Sequence, residues 1–246
     1  MNRIPIIEVK NLVARYGERV ILSDINFNIY PGDIFMVIGG SGCGKTTLLN
    51  HMIGLLSPFA GDVLIDGQSI SRIPENQRLT ILKKIGVLYQ SGALFGSLDL
   101  LQNVALPLEE LTDLPKDAIL EIARNKLKMV GLEKFFEYLP AEISGGMQKR
   151  AAIARAMALD PKILFLDEPT SGLDPISSSE IDQLVVNLAG ILGITFVIVS
   201  HDVASICKIG GRVILLDNGK IVAEGRPEEL RHSKHALAKR FLQVNR

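Results

Sequence analysis

Cysteine is scarce in this chain of 246 residues: Cys43 and Cys207 are its only two. They are too few for a disulfide framework, and one lies inside a glycine-rich loop, which fits a reducing compartment. An excess of either charge is missing as well. Lys+Arg and Asp+Glu number 27 each, so no overall field exists to hold nucleic acid, and bulk charge gives no support to a DNA or RNA role. Long apolar runs are lacking too. The most apolar stretches, such as Ile191 to Val199, fall well short of the roughly 20 residues that a spanning helix needs. The start, MNRIPIIEVK, carries no secretory h-region, so the chain is expected to be soluble by itself. Internal repeats, low-complexity tracts and long linkers are absent, which predicts order nearly throughout. The length exceeds that of one simple domain but suits a single α/β unit with an inserted lobe.

What is present centres on Ile34 to Thr47, IFMVIGGSGCGKTT. Ile34 to Ile38 has the continuous apolar character of a strand buried on both faces, and Thr47-Leu48-Leu49-Asn50 can continue a helix that opens near Lys45. Between them Gly39, Gly44, Lys45 and Thr46 fit G-x-x-x-x-G-K-[ST]. Gly39, Gly40, Gly42 and Gly44 lack a Cβ, so the loop can take φ > 0 and turn N–H groups toward an anion. The helix start adds its positive end, Lys45 can reach the β- and γ-phosphates, and the Thr46 hydroxyl is placed to hold Mg²⁺. The stretch Gly39, Gly40, Ser41, Gly42, Cys43, Gly44, Lys45, Thr46, Thr47 therefore reads as a nucleotide-binding loop.

In chain order, Ile6 to Val13 and Val20 to Ile29 are β-rich and flank a turn at Arg15 to Glu18, which predicts a hairpin. Tyr16 at that turn could stack on an adenine or simply cover apolar surface. Gly61 to Gly67 reads as a short strand, Arg78 to Lys84 as helical, and Ile85 to Tyr89 as a strand ending at Gln90. From Ser91 to Ala154 the character turns helical: Asp117 to Val130 places Ile119, Leu120, Ile122, Ala123, Leu127 and Val130 near one face, and Pro107, Pro115 and Pro140 punctuate the segment. Ser144 is a good N-cap for an alanine-rich helix over Met147 to Ala158. With Gly145 and Gly146 it forms either a second anion site or an ordinary capped helix.

Lys162 to Glu168 is an apolar strand ending in the two carboxylates of Asp167 and Glu168. Asp167 can hold Mg²⁺ through its water shell, and Glu168 can orient or deprotonate a water that attacks the γ-phosphate; two solvated acids at a strand end are the bland alternative. Ser171 to Pro175 makes a turn before a helix to about Leu192, and the strand Ile194 to Val199 delivers Ser200 and His201 to the ligand-facing edge of a parallel sheet. His201 is there a candidate for the γ-phosphate. Short strands at Arg212 to Leu216 and Lys220 to Ala223 precede small helices to Arg246.

These residues, in this order, resemble the ATP-binding cassette (ABC) ATPases, and the likeness covers essentially the whole chain. It implies an α/β P-loop (RecA-like) core with an antiparallel β subdomain, residues 1–90 and 155–246, and a helical lobe, 91–154, in one domain. It implies that Tyr16 stacks on adenine, that Gly39 to Thr47 is the Walker A loop, and that Gln90 is the Q-loop glutamine linking Mg²⁺ to the lobe. Ser144-Gly145-Gly146 would be the signature, Asp167 and Glu168 the Walker B pair, Ser171 to Asp174 the D-loop, and His201 the switch histidine. Met147 stands where the family commonly has Gln, and Gln148 follows. A finer likeness, in Gln90-Ser91-Gly92-Ala93-Leu94-Phe95, Asn103 to Leu108 and Ser144 to Met147, is similar to the ATPase subunit of phospholipid-trafficking, Mce-associated transporters of Gram-negative bacteria.

The resemblance implies ATP hydrolysis with Mg²⁺ on the cytoplasmic face of the inner membrane, bound to integral membrane permease subunits with a lipid-binding Mce-type subunit. The alternatives are the ATPase of an importer for another substrate and a soluble cassette protein such as an iron–sulfur assembly, DNA-repair or translation ATPase. The lack of a long heptad insertion, of a second cassette in this sequence and of excess positive charge counts against the last two and does not bear on iron–sulfur assembly. Two anion-binding helix starts but one γ-phosphate per nucleotide point to a head-to-tail homodimer with ATP at the interface. Ala93, Leu94, Phe95, Leu98, Leu100 and Leu101 crowd apolar surface beside Gln90, as a docking groove or as lobe core.

Overall fold

The computed structural model describes residues 3–90, 92–233 and 235–243. Ser91 of the apolar segment, and the end of the chain to Arg246, lie outside the described residues. Two sheets form among them. One is antiparallel, in the order β2 (Arg19–Ile29), β1 (Ile7–Tyr16), β4 (Ala60–Ile65), β5 (Gln68–Ser69). The other runs β10 (Lys220–Gly225), β9 (Arg212–Asp217), β3 (Ile34–Gly39), β8 (Thr195–Val199), β7 (Ile163–Asp167), β6 (Ile85–Leu88), parallel throughout except for β10 at its edge. Among the described residues no helix is long and apolar enough to cross a membrane.

The period-two alternation of a strand splits the parallel sheet's side chains between two cores. Phe35, Val37, Phe165, Val197 and Val199 face the antiparallel sheet and α1 (Lys45–Met52), packing with Ile7, Leu12, Leu48 and Leu49. Met36, Ile38, Leu164, Leu166, Phe196 and Ile198 face the other side. There they meet α3 (Leu100–Leu111), α4 (Lys116–Met129), α5 (Gly145–Ala156) and α6 (Pro175–Leu192) through Val104, Leu127, Ile153 and Val185. Burial on both faces explains why these strands read as continuous apolar runs. A Cβ on Gly86 would stand 2.0 Å from the Ala156 carbonyl oxygen. Only glycine lets α5 lie that close to β6.

Four expectations need correction. Tyr16 is not in the turn: it ends β1, paired with Arg19, and only Gly17 and Glu18 turn the hairpin. Pro107 does not punctuate the lobe, because α3 runs through it. Interior proline costs about 3 kcal/mol, but Leu100, Val104 and Leu108 are buried from that helix, each contributing about 1.5–3 kcal/mol. The signature helix begins at Gly145 rather than Met147 and ends at Ala156, since both glycines already take helical geometry behind the Ser144 cap. The segment 78–84 is helical earlier, as α2 (Glu75–Leu82).

Asp182 on α6 is buried, and among the described residues its Oδ1 has no hydrogen-bond partner. Burial pushes its carboxyl up, partly opposed by Ser205 and by Lys208, with Asp202 adding to the rise. A folded-state value above the unfolded one means the penalty is absent at low pH and appears as pH rises through the folded value. Asp182→Asn is therefore expected to stabilise the fold at pH 8 by on the order of 1 kcal/mol. Urea midpoints should show the gain shrinking as pH falls from 8 into the ordinary carboxylate range; an equal gain throughout would mean that charge burial is not its origin.

Candidate functional site

β3, β6, β7 and β8 run parallel, so the loops at their carboxyl ends share one edge of the sheet. That edge is where an open α/β sheet binds its ligand. The loop after β3 brings Gly39 to Thr47 there, with Gly39, Gly42 and Gly44 at φ of 153°, 76° and 107°. Gly40 is not among the positive-φ residues, and a Cβ on it would meet nothing within 4 Å. The expectation that all four glycines supply φ > 0 is thus corrected to three. Gly39 is the most constrained, since a Cβ there would lie 2.4 Å from the Leu216 carbonyl oxygen.

α1 opens at Gly44 without a side-chain cap, as α2 and α4 do behind Pro74 and Pro115, whereas α3, α5, α6 and α7 (Val203–Ile209) are capped by Asp99, Ser144, Asp174 and Asp202. Its first N–H groups are left for an anion. Lys45 is buried, and its Nζ donates to the carbonyls of Gly39 and Gly40, 2.9 Å each, which sets the ammonium in the mouth of the loop. Thr46 beside it is exposed and Thr47 half-buried. Cys43 turns its thiol inward and joins the core, and burial pushes that thiol up, so the residue contributes its main chain rather than a nucleophile.

β7 ends at Asp167, whose register partner is Val199 at the end of β8. Asp167 is buried, and among the described residues its Oδ1 has no hydrogen-bond donor. Desolvation and then the Glu168 charge push its carboxyl up, while Lys45 and Lys149 pull the other way. An orphaned carboxylate oxygen beside the Lys45 loop fits a divalent cation. Glu168 holds a left-handed backbone at φ 50°, rare for such a residue, with its N–H on the Val199 carbonyl at 2.9 Å. Its Oε1 is 2.7 Å from His201 Nδ1; an ionised carboxylate only accepts, so Nδ1–H donates. The two line a cavity of about 340 Å³ with Ser171, Gly172 and Leu173.

Gln90 is exposed just past β6, within this edge. Tyr16 is exposed at the end of β1, beyond Ala14, which pairs with Leu22; Leu22 in turn packs on Gly44, so the hairpin tip lies over the loop. Ser144, Gly145 and Gly146 do not line the cavity of Glu168 and His201. A Cβ on Gly145 or Gly146 would meet Leu173 or Ser177, both beside the turn before α6. The Ser144 hydroxyl accepts from Met147 N at 3.3 Å, and Gln148 Nε2 donates to the Pro140 carbonyl at 2.9 Å, which ties the loop down before α5. Asp174 caps α6 by accepting from Ile176 N and Ser177 N.

Two residues escape a reading of the motifs. Lys149 is 7% exposed and donates from Nζ to the main-chain carbonyl of Gln90. Arg155 donates to the carbonyls of Gly92 and Ala93. Burial lowers the pKa of both, and for Lys149 the Asp167 and Glu168 charges oppose it. The signal was a lysine on the same helical stripe as Ala152, Ile153 and Ala156, a charge among apolar neighbours.

A parallel sheet with a glycine-rich phosphate loop, two acids on the next strand but one and an inserted helical lobe defines a P-loop ATPase of the two-lobed cassette kind. The family described as ABC transporter matches residues 22–171. The chain is 42% identical over 237 residues, 96% of this chain and 90% of the relative, to the "Intermembrane phospholipid transport system ATP-binding protein MlaF" of Haemophilus influenzae. It is 39% identical over 98% of this chain and 69% of the relative to the "Probable ribonucleotide transport ATP-binding protein mkl" of Mycobacterium leprae. Among solved structures, a dimeric, post-hydrolysis ATP-binding cassette bound to ADP and Pi superposes with a TM-score of 0.80 at 34% identity, covering 89% of this chain and 98% of that one. The chain belongs to the ABC transporter family.

Proposed function

We propose that this chain is the ATP-hydrolysing subunit of an ABC transporter and powers phospholipid trafficking between membranes of a Gram-negative bacterium through separate membrane subunits. The observation that carries the hydrolytic part is one sheet edge bearing the Lys45 loop, the unpartnered Asp167 Oδ1 and the Glu168–His201 pair. Lys45 and the α1 N-terminus bind the phosphates, and Tyr16 stacks on the adenine. Glu168 takes the proton of the attacking water, with His201 holding the carboxylate and facing the γ-phosphate. Thr46, Asp167 and Gln90 are the residues that would hold Mg²⁺, which when bound neutralises phosphate charge. The exposed Ser144 and Gly145 complete the site of a second copy in a head-to-tail dimer.

The lipid substrate is supported by the greater identity and fuller coverage of the phospholipid-system relative than of the ribonucleotide-named one. The chain sits peripherally on the cytoplasmic face of the inner membrane, held by permease subunits and serving an Mce-type lipid-binding subunit. The docking groove lies at Phe95. Leu100 is core and Leu94 and Leu101 pack on it, but Phe95 stays 53% exposed. Buried Asn103 fixes the Phe95 backbone from both sides, accepting from its N at 2.8 Å and donating to its O at 3.1 Å. Phe95→Asp is expected to fold, bind ATP and lose co-purification with the membrane subunits and their lipid. Normal co-purification of a folded Phe95→Asp would remove Phe95 as the anchor, and capture of no polytopic membrane protein by the unaltered chain would favour a soluble cassette role.

A further inference from the structure

α5 is alanine-rich and packs against β6, yet it aims three cations at main chain: Arg150 donates to the Val130 carbonyl at 3.3 Å, and Lys149 and Arg155 reach the loop after β6. Lys149 Nζ donates to the Gln90 carbonyl and stands 3.4 Å from the Glu168 carbonyl. Arg155 donates from two nitrogens to the Ala93 and Gly92 carbonyls, at 2.7 and 3.0 Å. The carbonyls at 90, 92 and 93 are thus all held from one helix. Among the described residues, the hydrogen bonds of Lys149 go to backbone oxygens, not to the carboxylates of Asp167 or Glu168. A lysine that only balanced those acids would point its donors at their side chains. This one holds the backbone of two loops, one of which carries Glu168 in a left-handed conformation that needs external restraint.

We propose that Lys149 is a positioning residue for hydrolysis: its ammonium ties the main chain at Gln90 and Glu168 to α5, so the helix opened by Ser144-Gly145-Gly146 sets where the Glu168 carboxylate stands. The inference rests on the reading of Glu168 as general base. It makes the signature helix answerable to both sites at once. When the lobe moves, the Q-loop backbone and the catalytic turn move with it through one buried amine.

Phosphate release from Mg-ATP by the unmodified chain, Lys149→Met, Glu168→Gln and the double variant is the test. Lys149→Met is expected to keep KM for ATP within about threefold and to lower kcat about 10²-fold, the scale of an ångström misplacement. In the Glu168→Gln background the same change should cost less than about threefold, because Lys149 acts through Glu168. Should Lys149→Met fail to fold, Lys149→Gln replaces it, with a kcat loss of about tenfold at unchanged KM. Turnover within twofold of the unmodified chain, an equal loss in both backgrounds, or an effect carried wholly by KM would overturn the inference. No Mg-ATP-dependent phosphate release from the unmodified chain would overturn the functional reading itself, and this inference with it.

Discussion

Glu168→Gln is expected to keep ATP and lose hydrolysis by about 10²- to 10⁴-fold, the range for a lost general base. The amide is isosteric and its oxygen can still accept from His201 Nδ1–H, now 2.7 Å away on Glu168, so the turn and the imidazole should stay in place. What disappears is the proton acceptor. The substitution also removes a negative charge that pushes the Asp167 carboxyl up, so Asp167 ionises more readily and cation binding is retained. With hydrolysis blocked, the ATP-bound dimer should accumulate in sedimentation velocity with Mg-ATP. Near-normal turnover would move the base elsewhere, and a persistent monomer, with and without the membrane subunits, would argue against the head-to-tail sandwich.

Lys45→Ala should act at the other end of the reaction, by abolishing binding. Its ammonium holds the carbonyls of Gly39 and Gly40 and so stands in the loop as a cation for the phosphates. Removing one partner of a buried charge pair costs about 2–5 kcal/mol, or roughly 30- to several thousand-fold in Kd. Equilibrium titration with a fluorescent ATP analogue reads this directly, and thermal unfolding shows whether the loop alone was lost. An unchanged Kd would place the phosphates off this loop. The two variants thus separate binding from chemistry.

Most of the site was legible because its residues act locally in sequence. A phosphate loop needs glycines, a lysine and a hydroxyl at fixed spacing within one strand–turn–helix unit, and an acid pair at a strand end announces itself by following an apolar run. Errors arose where local chemistry was overruled. Pro107 reads as a break, yet the buried faces of α3 outweigh its cost. Gly40 reads as a left-handed residue, but its neighbours take up the turn. Phe95 and Leu100 look alike in an apolar stretch, and the buried amide of Asn103 fixes the turn from which Phe95 projects while Leu100 is core.

The sequence by itself determined the class of chemistry: strand periodicity, the glycine-lysine loop and the Asp167-Glu168 pair need no partner from elsewhere in the chain to be recognised. Only the tertiary structure decided which of these groups meet. The parallel order β3-β8-β7-β6 puts the Lys45 loop, Asp167, Glu168, His201 and Gln90 on one edge, and the packing of α5 sets Gly145 and Gly146 beside Leu173 and Ser177. Lys149 is the sharpest case. In sequence it is one charge in a helix, and its role comes from two carbonyls, 59 and 19 residues away, that reach it only once α5 has packed on the sheet. A hydrogen bond to main chain leaves no mark on the identity of the residue that accepts it, so such a contact can be seen only in three dimensions.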